Sequence, residues 1–139
     1  MQKLATVLLV DDDITTNFLN ERLLTRLEMV EQVLVAPNGV EALGILTHLW
    51  ETAPDQRVLV LLDVNMPVMD GMEFLEAYQR LPLNRQQQAV VVVLTTSMNS
   101  KDLGRLDDLP IAGLASKPLT REKVNTLLQL HFQRQLPGS

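Results

Sequence analysis

The sequence predicts an α/β protein, a doubly wound parallel sheet in (βα)5 order with helices on both faces. Three observations point there. Residues 5–10, 58–62 and 89–94 are apolar almost throughout and rich in valine and leucine, the pattern of strands buried on both faces. Stretches with the 3.6-residue spacing of amphipathic helices separate them. The 139 residues, 46% of them hydrophobic and 21% charged, are enough for one buried core and unlike a disordered chain.

The first strand, 5–10, runs into Asp11-Asp12-Asp13, and Asp13 is placed to cap a helix carrying Phe18, Leu19, Leu23, Leu24 and Leu27. A weaker strand is expected at 32–36. Asn38, with Glu41 three residues on, has capping-box spacing and opens a second helix with Val40, Leu43, Leu46 and Leu49. Residues 52–57 are polar, contain proline and read as a loop. The third strand, 58–62, delivers Asp63, and Asp70-Gly71 opens the third helix. Residues 82–88 again read as a loop. The fourth strand, 89–94, leads to Thr95-Thr96-Ser97, and a weaker fifth strand at 111–116 leads to Lys117. Thr120 is placed to cap a last helix from Arg121 to about Gln133. The expected organisation is one domain over 1–139, with a core of about 3–132 and a frayed tail at 133–139.

Composition narrows the function classes. A formal net charge of −5 without a basic stripe argues against direct nucleic-acid binding, which relies on Lys and Arg releasing counterions. The absence of cysteine excludes disulfides, thiolate metal sites and cysteine nucleophiles. The apolar run 4–10 is too short to span a bilayer and has no signal-peptide character, so the expected location is the cytoplasm and no membrane contact is expected. His48 and His131 fall on separate helices, where local packing or solvation is the expectation.

In a doubly wound sheet, ligands bind beyond the carboxyl ends of the strands, where the strand order reverses. The residues expected there are Asp11, Asp12, Asp63, Thr95, Thr96 and Lys117. Two carboxylates about 5 Å apart at an effective dielectric of about 20 repel by roughly 3 kcal/mol. Either one carboxyl takes up a proton or a cation binds. With oxygen ligands only, a hard divalent ion fits best, Mg²⁺ or alternatively Mn²⁺. Phosphoryl transfer needs a positioned nucleophile and neutralisation of the equatorial oxygens. Asp63 can be the nucleophile, with the metal, the Lys117 ammonium, the Thr95 hydroxyl and backbone amides near Asn65 and Thr96 for the oxygens.

At Leu9-Val10-Asp11-Asp12, Leu62-Asp63-Val64-Asn65-Met66-Pro67-Val68-Met69-Asp70-Gly71, Leu94-Thr95 and Ser116-Lys117-Pro118 the sequence resembles the receiver domains of two-component response regulators, including the small chemotaxis type without an output domain. The likeness runs from about Lys3 to Leu130. It implies a flavodoxin-like three-layer sandwich with strand order 2-1-3-4-5. It implies that Asp63 accepts a phosphoryl group from a sensor histidine kinase or a histidine phosphotransfer protein. Asp11 and Asp12 would support the metal and Asn65 would give it a backbone carbonyl. Thr95, Thr96 and Lys117 would form the phosphoryl-binding switch, and the peptide before Pro118 would be cis. Two positions depart from the family pattern. Leu114 stands where an aromatic switch residue is frequent, and Thr96 stands where a small residue is usual.

The output surface implied is the face of the fourth helix, fifth strand and fifth helix of the (βα)5 order, with Leu103, Leu106, Leu114 and Leu127, through which a downstream protein would be reached. A homodimer through that face is compatible with the sequence, though no pattern supports it. The chain itself reads as a signalling receiver rather than an enzyme. Two other readings start from the same residues. One is a receiver-like interaction module that works without phosphorylation. The other is a haloacid dehalogenase-like phosphatase, since Asp11-Asp12-Asp13-Ile14-Thr15 fits that family's D-x-D-x-T signature with Asp11 as nucleophile. Such enzymes need a further acidic pair after the lysine, and only Glu122 follows Lys117.

Overall fold

The computed structural model describes residues 4–28, 30–64, 66, 68–95, 104, 106 and 108–132, with the backbone alone for Leu4 and Ala5. Its strands are β1 (Leu4–Val10), β2 (Val30–Ala36), β3 (Val58–Asp63), β4 (Ala89–Thr95) and β5 (Gly113–Ser116). They form a five-stranded sheet ordered β2-β1-β3-β4-β5, every pair parallel. The helices are α1 (Ile14–Arg26), α2 (Gly39–Thr52), α3 (Gly71–Tyr78), α4 (Leu83–Gln88) and α5 (Arg121–Phe132). Gly104 and Leu106 have helical backbone between β4 and β5, where the sequence leads one to expect a helix.

Period-two alternation sorts the strand side chains between two apolar layers. Leu8, Val10, Val58, Val60, Leu62, Val91 and Val93 pack with Ala42, Leu46 and Leu49 of α2, with Phe74, Leu75 and Tyr78 of α3, and with Leu106. On the other face Val7, Leu9, Leu59, Leu61, Val90, Val92 and Leu94 pack with Leu24 of α1 and with Val124, Leu127 and Leu128 of α5. Burying one such side chain stabilises by about 1.5–3 kcal/mol. The two layers hold the strand ends, and everything attached to them, in a fixed relation.

Side chains cap the helices where the sequence places them. Asp13 accepts the Thr15 amide at 3.1 Å, Asn38 the Glu41 amide at 3.0 Å and the Thr120 hydroxyl the Lys123 amide at 3.2 Å. Asp70 and Glu73 form a complete capping box at α3.

Several boundaries differ from the sequence reading, and β1, β3 and β4 each run one residue beyond the expected apolar stretch, to Leu4, Asp63 and Thr95. Thr52 belongs to α2, β2 begins two residues earlier, at Val30, and β5 begins at Gly113 instead of Ile111. Residues 83–88, expected as loop, are helical. Nothing in Leu83-Asn84-Arg85-Gln86-Gln87-Gln88 carries a helical apolar period, so contacts with the rest of the fold decide. The Arg85 guanidinium lies 4.0 Å from the centroid of the Trp50 ring. The Tyr78 hydroxyl donates to the Gln86 carbonyl at 2.8 Å, and the buried Gln88 amide donates to the Ala53 carbonyl at 2.8 Å. No helix of the described residues is long and apolar enough to cross a membrane.

Candidate functional site

Neighbouring central strands β1 and β3 lie in register, Val10 beside Leu62, so the residues that follow come out side by side at one end of the sheet. Chain order runs from β1 outward to β2 and back to β3, making this the point where the strand order reverses. Carboxylate oxygens of Asp11, Asp12 and Asp63 lie within 4.8 Å of one another. Asp11 is buried, Asp12 exposed and Asp63 half-buried.

Asp11 is fixed from several directions. Its Oδ1 accepts the Asp13 amide at 2.9 Å, and its Oδ2 accepts the Lys117 ammonium at 2.8 Å. Its backbone amide donates to the Ala36 carbonyl, and its carbonyl accepts the Asn17 side-chain amide at 2.8 Å. Asp13 points away into its capping role, and the Thr16 hydroxyl, donating at 2.6 Å, is the main cause holding its carboxyl below the ordinary range.

Lys117 follows β5, and the same ammonium that bonds Asp11 lies 3.4 Å from Asp63 Oδ1. Its backbone amide donates to the Thr95 carbonyl at 2.8 Å, tying the β5 turn to the end of β4. Burial by itself would lower the Lys117 pKa. The hydrogen bond and charge of Asp11, followed by those of Asp63, more than offset that, and the pKa is raised. The lysine is thus a cation at neutral pH and neutralises part of the acidic cluster. The Lys117-Pro118 peptide is cis.

The loop after Asp63 turns back sharply. The Gly71 amide donates to the Val64 carbonyl at 2.8 Å and the Gly39 amide to the Met69 carbonyl at 2.9 Å. Gly71 is required by its close approach to backbone, whereas Gly39 meets the Met69 side chain. A Cβ on Gly71 would stand 2.6 Å from the Asp63 carbonyl oxygen, and one on Gly39 would stand 2.7 Å from Met69 Cγ. Val68 holds a positive φ of 66° and is 80% exposed.

Three carboxylates whose oxygens lie within 4.8 Å of one another suit a hard divalent cation that keeps some of its water, as Mg²⁺ does. Among the described residues, Asp11, Asp12 and Asp63 could hold it. Thr95 ends β4 beside the cluster, its neighbour Leu94 paired with Asp63. Asn65, Thr96 and Leu103 lie outside the described residues. Of the other leucines expected on the output face, Leu106 and Leu127 are core, whereas Leu114 is 47% exposed on the edge strand β5. Sequence reasoning missed Asn17, which holds the Asp11 carbonyl, and Lys123, which donates to Ser116 and Pro118 on either side of Lys117. Both act on backbone atoms and leave no motif.

Residues 7–129 match the family model described as the response regulator receiver domain. The chain is 31% identical over 126 residues to a probable chemotaxis protein CheY of Rhizobium etli, covering 91% of each. It is 35% identical over 113 residues to a protein-glutamate methylesterase/protein-glutamine glutaminase 3 of Burkholderia thailandensis, covering 81% of this chain and 29% of that protein. A two-component response regulator from Cytophaga hutchinsonii superposes with a TM-score of 0.83 at 25% identity, over 96% of this chain and 100% of that one. With its sheet order, its acidic cluster and this match over most of its length, the chain belongs to the response regulator receiver domain family.

Proposed function

We propose that this protein is a phosphorylation-dependent receiver in which Asp63 accepts a phosphoryl group and the resulting change of shape is read by a partner. Receiver domains work with histidine kinases in two-component systems, and the donor proposed here is a sensor histidine kinase or a histidine phosphotransfer protein. One observation carries the reading: Asp63 shares a 4.8 Å cluster with Asp11 and Asp12 while the Lys117 ammonium stands 3.4 Å from its carboxylate.

An Asp63 carboxylate oxygen attacks the phosphorus of a phosphohistidine, the P–N bond breaks, and its electron pair returns to the imidazole. Lys117 and Thr95 bind phosphoryl oxygens as charge shifts onto them. Mg²⁺, or Mn²⁺ in its stead, would be held by Asp11, Asp12 and Asp63 together with the Asn65 carbonyl that the family resemblance implies, and would supply charge neutralisation when bound. Lys117 then has a new anionic partner competing with Asp11. A contact made in only one of two states shifts their balance, typically by about 1–3 kcal/mol. The readout proposed is the face around Leu114 and the last helix, with aromatic coupling absent at Leu114 and turnover altered by the choice of threonine at position 96. The chain acts as one domain, in the cytoplasm, as a signalling protein rather than an enzyme.

The test is intact mass after incubation with acetyl phosphate and Mg²⁺. Gain of one phosphoryl group that is lost in Asp63→Asn and without metal supports the proposal. Labelling that survives Asp63→Asn but requires Asp11 supports a phosphatase-like nucleophile instead. Failure to label with acetyl phosphate and with a phosphorylated histidine donor overturns the phosphoacceptor role and leaves the interaction module.

A further inference from the structure

Resting on that reading, we infer that Lys123 is a positioning residue for the phosphoryl-transfer site, clamping the turn that aims Lys117. Its ammonium donates to the Ser116 carbonyl at 2.7 Å, the Ser116 hydroxyl at 3.1 Å and the Pro118 carbonyl at 2.8 Å. An ammonium has three hydrogens, and here three oxygens of one turn converge on it. The two carbonyls belong to the residues immediately before and after Lys117. Together with the Lys117 amide, which donates to the Thr95 carbonyl at 2.8 Å, they hold the peptide group before Lys117 at both its oxygen and its nitrogen and tie down the carbonyl of the residue after it.

The location of Lys123 supports the assignment. It is the third residue of α5, and a cation in the first turn sits at the positive end of the helix dipole, the unfavourable end for it. A solvated lysine at that position would be mildly destabilising, whereas three convergent oxygens offset the dipole. Lys117 carries its charge on a long flexible stem. Anchoring its backbone narrows the positions its ammonium can reach and keeps it within 2.8 Å of Asp11 and 3.4 Å of Asp63. Positioning of this kind acts on rate through pre-organisation.

The test compares wild type with Lys123→Met, which keeps the stem and removes the donors, alone and in a Lys117→Ala background. Amide hydrogen exchange reads the turn directly. Lys117 should exchange about tenfold faster in Lys123→Met while the central-strand amides of Leu62 and Val93 stay unchanged. Phosphorylation by acetyl phosphate should slow about three- to tenfold and stay slowed in about 1 M salt, where screening acts within about 3 Å. The substitution should add little to Lys117→Ala, because both act through one ammonium. Unchanged exchange, a slowing that vanishes in salt, or full additivity with Lys117→Ala would each overturn the inference. A wild-type protein that takes no phosphoryl group would count against the phosphoacceptor role instead, and exchange at Lys117 would still decide whether Lys123 holds the turn.

Discussion

Gly71 packs so closely beneath Asp63 that a Cβ there would stand 2.6 Å from the Asp63 carbonyl oxygen and 2.8 Å from Val64 Cα. Both are backbone atoms and neither can swing aside. Gly71→Ala gains helix propensity at the start of α3 but must displace the strand end that carries Asp63. Overpacking of this kind costs about 1–3 kcal/mol, so thermal unfolding should fall by several degrees, and phosphorylation should slow beyond what the lost stability accounts for.

A metal ion bound at the acidic cluster would compete with Lys117 for the same carboxylates. Removing the ammonium by Lys117→Ala leaves Asp11, which has its Oδ2 on that ammonium at 2.8 Å, without its charge partner. Mg²⁺ affinity, measured by calorimetry, should rise about three- to tenfold, and the melting temperature should become more dependent on Mg²⁺. Phosphorylation should nonetheless slow, because a phosphoryl oxygen loses its cation.

Burial pushes the Tyr78 phenol up to about 12 from 10.0. A group whose folded pKa is raised contributes fully below its unfolded pKa and loses that contribution as pH rises through the folded value. Stability should therefore decline between about pH 10 and 12, where the unfolded chain has released the proton and the folded one retains it. The loss is at most about 2–3 kcal/mol. Urea titrations across this window should show a shallower decline for Tyr78→Phe, which starts lower because the 2.8 Å bond to the Gln86 carbonyl is gone.

Val68 is β-branched, 80% exposed and held at a φ of 66°, a region that costs an L-residue about 1–2 kcal/mol and that asparagine tolerates better. Val68→Asn should raise stability by about 0.5–1 kcal/mol, read as a higher urea midpoint with unchanged slope. A fall would mean that the Val68 side chain makes contacts worth more than the strain.

Much of the fold and site can be read from the chain because strand ends do the positioning. Apolar runs locate β1, β3 and β4, and a parallel sheet must send Asp11, Asp63 and Thr95 to a common end. Lys117 follows from the last, weaker strand by the same rule. Residues 83–88 defeat that logic, since their helix depends on Trp50 and Ala53, which are distant in sequence, as well as on Tyr78 at the end of α3. Asn17 and Lys123 are equally hidden, because a side chain bonded to backbone carbonyls obeys no spacing rule. Exposure of the four output-face leucines is also unreadable, as an edge strand and a core helix can carry the same residue type.

The stacking of Arg85 on Trp50 has an optical consequence. The protein has a single tryptophan, eleven residues along α2 from Gly39, so about 16 Å down a helix that begins beside the acidic cluster. Its ultraviolet emission therefore reports on the seating of α4 on α2. A fluorescence change on adding a phosphodonor would signal a rearrangement at that contact, away from the strand ends that carry the site.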